Sequence, residues 1–180
     1  MQFQGKLPVT IYSKNYTTGD GILPPQPLQN YDMSSSPGRT YRYYRGTPLF
    51  AFGTGLSLTT FTHSCTCSPP TDDYADTITC SCTIQNTGEL AGDEVVLVYD
   101  TLSDTVREAV GASHPVPIRR LVDFERVSVS AGSNASVLFS IPRKNFALTT
   151  SDGSKKLYGG THELLFSRGN GDDVKVNITV

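Results

Sequence analysis

The chain has 180 residues, of which 37% are hydrophobic and 18% charged, and its net charge is -2. That balance excludes a disordered polymer, and the small, dispersed charge excludes a surface built to hold nucleic acid or an anionic membrane. The longest apolar run, Val95 to Tyr99, is far short of the roughly 18 residues that span a bilayer.

Residues 1 to about 57 show no sustained periodicity. They carry Pro8, Pro24, Pro25, Pro27, Pro37 and Pro48. Proline fixes one backbone torsion and removes a donor, so extended chain and loops with short strands are expected. So long an irregular stretch is predicted to lie against another domain. The opening MQFQGKLPVT lacks a charged region followed by a long apolar stretch, and no signal peptide is expected in it. Arg39 to Arg45, RTYRYYR, mixes bases with aromatics. It reads as a strand packed against a neighbouring domain, or as an aromatic edge near a sugar cleft. One such patch does not make a nucleic-acid surface.

From Leu58 the texture changes to period-two strands. They are expected at Leu58 to Ser68, Asp76 to Asn86, Glu94 to Thr101, Leu121 to Val129, Ser136 to Ile141, Lys155 to Tyr158, Glu163 to Ser167 and Val174 to Val180. Turn residues such as Asn86-Thr87-Gly88 and Ala131-Gly132 separate them. Gly88 is expected to take a positive φ in its hairpin. No segment shows sustained helical periodicity. Seven or eight short strands at this spacing predict an all-β fold, two antiparallel sheets packed face to face.

The cysteines form two Cys-x-Cys pairs, Cys65/Cys67 and Cys80/Cys82. Residues i and i+2 of a strand share a face. An antiparallel register in which paired numbers sum to 147 sets Cys65 opposite Cys82 and Cys67 opposite Cys80. All four sulfurs then cluster on one face, with Phe61, Ile78 and Ile84 sharing their parity. Buried free thiols, one or two disulfides, and a zinc site all remain open on that arrangement.

No residue is assigned a catalytic, cofactor-binding or metal-binding role, and no cofactor is expected. Asp72, Asp73 and Asp76, and Asp172 and Asp173, lie in turn-like polar sequence and read as solvated surface. His63, His114 and His162 lack metal-ligand spacing; His63 reads as a packed, hydrogen-bonded residue. Gly53-Thr54-Gly55 has no later Gly or Lys to make a phosphate loop, and no Gly-x-Ser-x-Gly elbow occurs. Asn-x-Ser/Thr sequons occur at Asn15, Asn134 and Asn177. They favour a secretory or lysosomal compartment. Asn134 sits in the Gly132-Ser133-Asn134 turn, where a glycan is tolerated, whereas Asn177 falls in a strand and is a poorer acceptor.

Three stretches, FAFGTGLSLTTF (Phe50 to Phe61), IQNTGELAGDEVVLVYD (Ile84 to Asp100) and RRLVDFERVSVSAG (Arg119 to Gly132), resemble in order and spacing the C-terminal end of family 3 glycoside hydrolases, the β-xylosidase and β-glucosidase group. Gly5 to Thr10 looks like the last strand region of the α/β domain preceding that end, and Pro37 to Phe61 like the connector of plant-type β-xylosidases. Thr54 and Leu58 depart from the usual His and Tyr of the connector, and Asp123 stands where Gly is usual. The resemblance implies an immunoglobulin or fibronectin type III-like β-sandwich over 58–180. It implies the end of an α/β domain and a connector over 1–57. The expected partners are upstream α/β catalytic domains, with glycan contact near the connector and neither nucleic acid nor membrane. The aspartate nucleophile and acid/base of such enzymes would lie upstream, so this chain is expected to be a non-catalytic structural portion of a retaining glycosidase. The alternative is a stand-alone carbohydrate- or protein-binding module. Val122 and Phe124 share a parity, and a core-facing Phe124→Ala is expected to cost about 3–5 kcal/mol.

Overall fold

The computed structural model describes residues 5–19, 24–27, 29–68, 77–169 and 171–180. Nine strands run in chain order: β1 Phe61–Cys67, β2 Thr77–Asn86, β3 Gly92–Leu102, β4 Arg120–Val129, β5 Asn134–Pro142, β6 Leu148–Thr149, β7 Lys155–Lys156, β8 Thr161–Ser167 and β9 Val174–Thr179. Among the described residues there are also three short α-helices, α1 Asn15–Thr18 and α2 Thr40–Tyr43 before β1 and α3 Asp104–Val110 after β3, and a 3-10 turn at Arg143–Phe146 after β5. A three-stranded sheet has the order β1-β2-β5, and a four-stranded sheet the order β4-β3-β8-β9. All the pairings are antiparallel, and β6 with β7 makes a separate small hairpin. This is the expected all-β sandwich.

Alternation decides which side chains meet between the sheets. From β2, Ile78, Cys80, Cys82 and Ile84 all point inward and are buried. They meet Val96 and Val98 of β3, Phe139 and Ile141 of β5, and Leu164 and Phe166 of β8. The β1–β2 register sets Cys65 opposite Cys82 and Cys67 opposite Cys80. Both pairs are disulfides, and no free cysteine is found among the described residues. Of the three readings left open by the spacing, the paired one holds. The thiols meet because direct cross-strand neighbours on one face sit about 4.5–5.5 Å apart at Cβ.

Four local expectations are corrected. First, Phe124 does not face the core: its side chain is 60% exposed. The β3–β4 register shifts between Val98 and Tyr99, where Val98 faces Asp123 and Tyr99 faces Leu121. The extra residue, Val122, breaks the period-two parity, as a β-bulge does. Val122 packs against the core while Phe124 sits on the outer face opposite Leu97.

Second, Gly88 is not among the positive-φ glycines. Its requirement is space, because an added Cβ would lie 2.3 Å from Thr59 Oγ1. Third, α3 was not visible as periodicity. A seven-residue helix offers only one i,i+4 apolar pair, Val106 and Val110, both buried. Its caps were readable: Ser103 Oγ accepts from Val106 N, and Gly111 follows at φ +57. Fourth, Thr40–Tyr43 is a helical turn rather than a strand.

Candidate functional site

The distinctive region is the irregular segment before β1 and the face it covers. Two isolated bridges, Lys6 with Gly55 and Ile11 with Phe50, fold it into a loose antiparallel loop. That loop lies on the outer face of the four-stranded sheet. There Leu97, Tyr99 and Leu165 are buried, with Tyr41, Phe52, Val95 and Leu121 packed on them. Tyr41 meets Phe52 in a tilted pair at 4.6 Å and Tyr99 edge-on at 5.6 Å, ring centre to ring centre. Its hydroxyl accepts from Leu121 N, and Ile118 N donates to Arg42 O at 2.6 Å. The Arg119 guanidinium lies 4.6 Å from the centre of the Tyr99 ring, a cation–π contact. Burial pushes the Tyr99 hydroxyl up to about 12, so it stays neutral at physiological pH.

A buried charge cluster pins the start of the segment. Glu94 and Arg168 occupy inward-parity positions and are only 3% and 5% exposed. Glu94 Oε1 pairs with Lys6 Nζ at 2.9 Å and Oε2 with Arg168 Nη1 at 3.2 Å. Arg168 also pairs with Asp172 and donates from Nε to His63 Nδ1 at 3.1 Å. His63 Nδ1 is therefore an acceptor, and Nε2 carries the proton donated to Phe166 O at 3.2 Å. Desolvation by burial holds the His63 pKa below its ordinary value. Each buried charge is thus paired and hydrogen-bonded, as removal from water demands. Close backbone approach completes the anchor: a Cβ on Gly169 would sit 2.0 Å from Gly53 O. Both glycines have positive φ, at +79 and +84.

The far end of the segment is tied by Asn86, which is fully buried and fully satisfied. Its Oδ1 accepts from Thr59 Oγ1 at 2.7 Å and from Gly88 N at 3.0 Å; its Nδ2 donates to Leu90 O and Val129 O.

The opposite side of the segment is apolar and uncovered. Val9, Ile11, Leu49, Phe50, Leu56 and Leu58 are all exposed, Leu56 to 88%. Leu7, Ile11, Phe50 and Leu56 line a groove of about 510 Å³. A second cleft of about 350 Å³ lies where the segment meets the sheet, between Thr10, Tyr41, Tyr44, Phe52, Thr101 and Arg119.

Asp172 serves Arg168, and Asp72, Asp73 and Asp76 lie outside the described residues. His63 is packed and hydrogen-bonded as expected. His162 is fully buried between Asp100 Oδ1 at 2.8 Å and Tyr158 O at 3.2 Å. His114 meets the Tyr158 hydroxyl at 3.0 Å. Among the described residues no cluster of three or more His, Cys, Asp or Glu could hold a metal. Sequence reasoning missed the Lys6–Glu94–Arg168 anchor. The available signal was a lone Glu94 opening an otherwise apolar strand.

Residues 94–169 match the family described as fibronectin type III-like domain. The chain carries a fibronectin type III-like domain. It is similar to β-D-xylosidase 1 of Arabidopsis thaliana, 29% identical over 89% of this chain and 24% of that protein. It is also similar to the exo-1,4-β-xylosidase bxlB of Emericella nidulans, 31% identical over 89% of this chain and 22% of the relative. Among solved structures, a β-glucosidase involved in saponin metabolism from intestinal bacteria superimposes with a TM-score of 0.67 at 29% identity, covering 78% of this chain and 20% of that one. The resemblance to the β-xylosidase and β-glucosidase group of family 3 glycoside hydrolases therefore holds across most of the chain. The chain spans less than a quarter of the length of these relatives, which are multidomain enzymes.

Proposed function

We propose that this chain is the non-catalytic C-terminal part of a larger family 3 glycosidase of the β-xylosidase type. In this reading residues 1–57 end an α/β domain and connect it to the sandwich, and residues 58–180 form the domain that braces the catalytic part. The carrying observation is the uncovered face of the segment, where Ile11, Phe50 and Leu56 border an apolar groove. A soluble monomer rarely leaves such a patch unpartnered. The cleft holding Tyr41, Tyr44 and Arg119 is the place where the connector would contact a glycan of the parent's substrate. The paired cysteines and the exposed sequons support a secretory or lysosomal setting, because structural disulfides persist in oxidising compartments.

The test is complementation. The chain alone should not turn over a nitrophenyl xyloside. Co-expressed with the region encoded upstream, it should co-purify and yield activity, and Phe50→Asp with Leu56→Asp should abolish the co-purification. Turnover by the isolated chain, or an upstream region that is fully active and never associates, sinks the reading.

A further inference from the structure

The outer face of the three-stranded sheet is almost entirely polar. Its rows are Thr62 with Gln85 and Asn134, Ser64 with Thr83 and Ser136, and Thr66 with Ser81 and Leu138. Apart from Leu138 the face is hydroxyl and amide, and the covering segment lies on the opposite side of the sandwich. Asn134 opens β5 at one corner of this face. It is exposed, and β5 is an edge strand. It follows the Ser130 to Ser133 turn, closed by Ser133 N to Ser130 O at 3.1 Å, in which Gly132 has φ +66. Ser136, the hydroxyl of the Asn134-Ala135-Ser136 sequon, is on the same face and exposed. Asn15 lies in a helical turn and Asn177 within β9, so Asn134 alone combines turn, edge and bare polar face.

We infer that Asn134 is an N-glycosylation site and that its glycan stands over the polar face of the three-stranded sheet. The inference rests on the secretory part of the proposed function. In the transfer, Asn134 Nδ2 bonds to the anomeric carbon of a polyprenyl-diphosphate-linked oligosaccharide. The anomeric carbon–oxygen bond breaks, polyprenyl diphosphate leaves, and the amide gives up one proton to the transferring enzyme. Two physical features make the modification compatible with the fold. The side chain is exposed to solvent, while the backbone is already held in the ladder opposite Gln85. The glycan lies opposite the apolar groove, so it leaves docking of the segment free. It also shields the open β5 edge beside exposed Leu138, an edge that invites strand pairing when bare.

The experiment secretes the chain from a eukaryotic host and removes N-glycans enzymatically in heavy-oxygen water, followed by peptide mapping and thiol counting on the same sample. The expected result is an isotope-labelled aspartate at position 134, lost in both Asn134→Gln and Ser136→Ala. Both variants alter an exposed position, so melting temperatures should match the parent. An unmodified Asn134 peptide in secreted protein with all four cysteines oxidised overturns the inference and leaves the compartment reading standing. An unmodified Asn134 together with free thiols overturns both.

Discussion

The two sheets present opposite outer faces, although their inner faces are built alike. On the three-stranded sheet the outward positions are Ser, Thr, Asn and Gln apart from Leu138, and nearly all of them are exposed. On the four-stranded sheet the outward positions Val95, Leu97, Tyr99, Leu121 and Leu165 are apolar, and the segment before β1 covers them. An antiparallel sheet is stable with one face in water, so the first needs no cover. The centre of the second, around β3, is buried on both faces, and β3 accordingly reads as an almost continuous apolar run. The contrast explains why this domain travels with an irregular appendage: the appendage is the second layer of that sheet.

The sharpest way to break the comparison is to place the same charge on each face. Leu97→Lys strands an ammonium under the segment and should cost about 3–5 kcal/mol, unless the segment lifts away, in which case limited proteolysis before residue 58 accelerates. Thr83→Lys on the bare face should stay within about 0.5 kcal/mol. Similar urea midpoints for the two variants would erase the distinction between the faces.

The next largest effect concerns what holds the bare sheet together. Replacing either cystine by paired alanines should lower stability by about 2–4 kcal/mol, chiefly by freeing the unfolded chain. The bridges close sequence separations of 17 and 13 residues and are nested. Whichever bridge is removed first, the other still closes nearly the same loop, so the first removal should cost less than the second, in the same denaturant titration.

A smaller effect sharpens the boundary of the covered face. Phe124 lies on that face beyond the reach of the segment and is 60% exposed. Phe124→Ala should cost about 1 kcal/mol or less, well below a core phenylalanine; a loss near the core value would mean that something covers it. Val122→Ala, at the bulge and packed on the core, should cost more.

The smallest effect is in pH. The folded pKa of His63 is depressed, first by burial, so between that value and the unfolded 6.5 the unfolded chain binds more protons. Stability should be flat above pH 6.5 and fall as the pH drops below it. His63→Gln should flatten that slope if His63 causes it, and an unchanged slope would assign it elsewhere.

Much of this was legible in order along the chain. The alternation in β2 and β5 fixed their inward residues, and the spacing of the cysteines fixed their register, because both depend on neighbours within one strand or one hairpin. Glycine-bearing turns bounded the strands correctly to within a few residues. Local physics could not count the bulge at Val122, and so it placed Phe124 on the wrong face. Nor could it see that Gly88 is needed for the space that Thr59 occupies from 29 positions earlier.

The amino-acid order by itself determined a two-sheet β-sandwich, most of its core-facing residues and a register that sets its cysteines opposite one another, since period-two burial is a property of the strand alone; that the thiols are bonded came from the structure. Only the tertiary structure decided that the segment before β1 folds back on the sandwich, that Lys6 meets Glu94 and Arg168, and that one outer face is covered while the other is bare. Those contacts join residues up to 162 positions apart. No local preference encodes them; they form because buried charges must be paired and apolar faces must leave water.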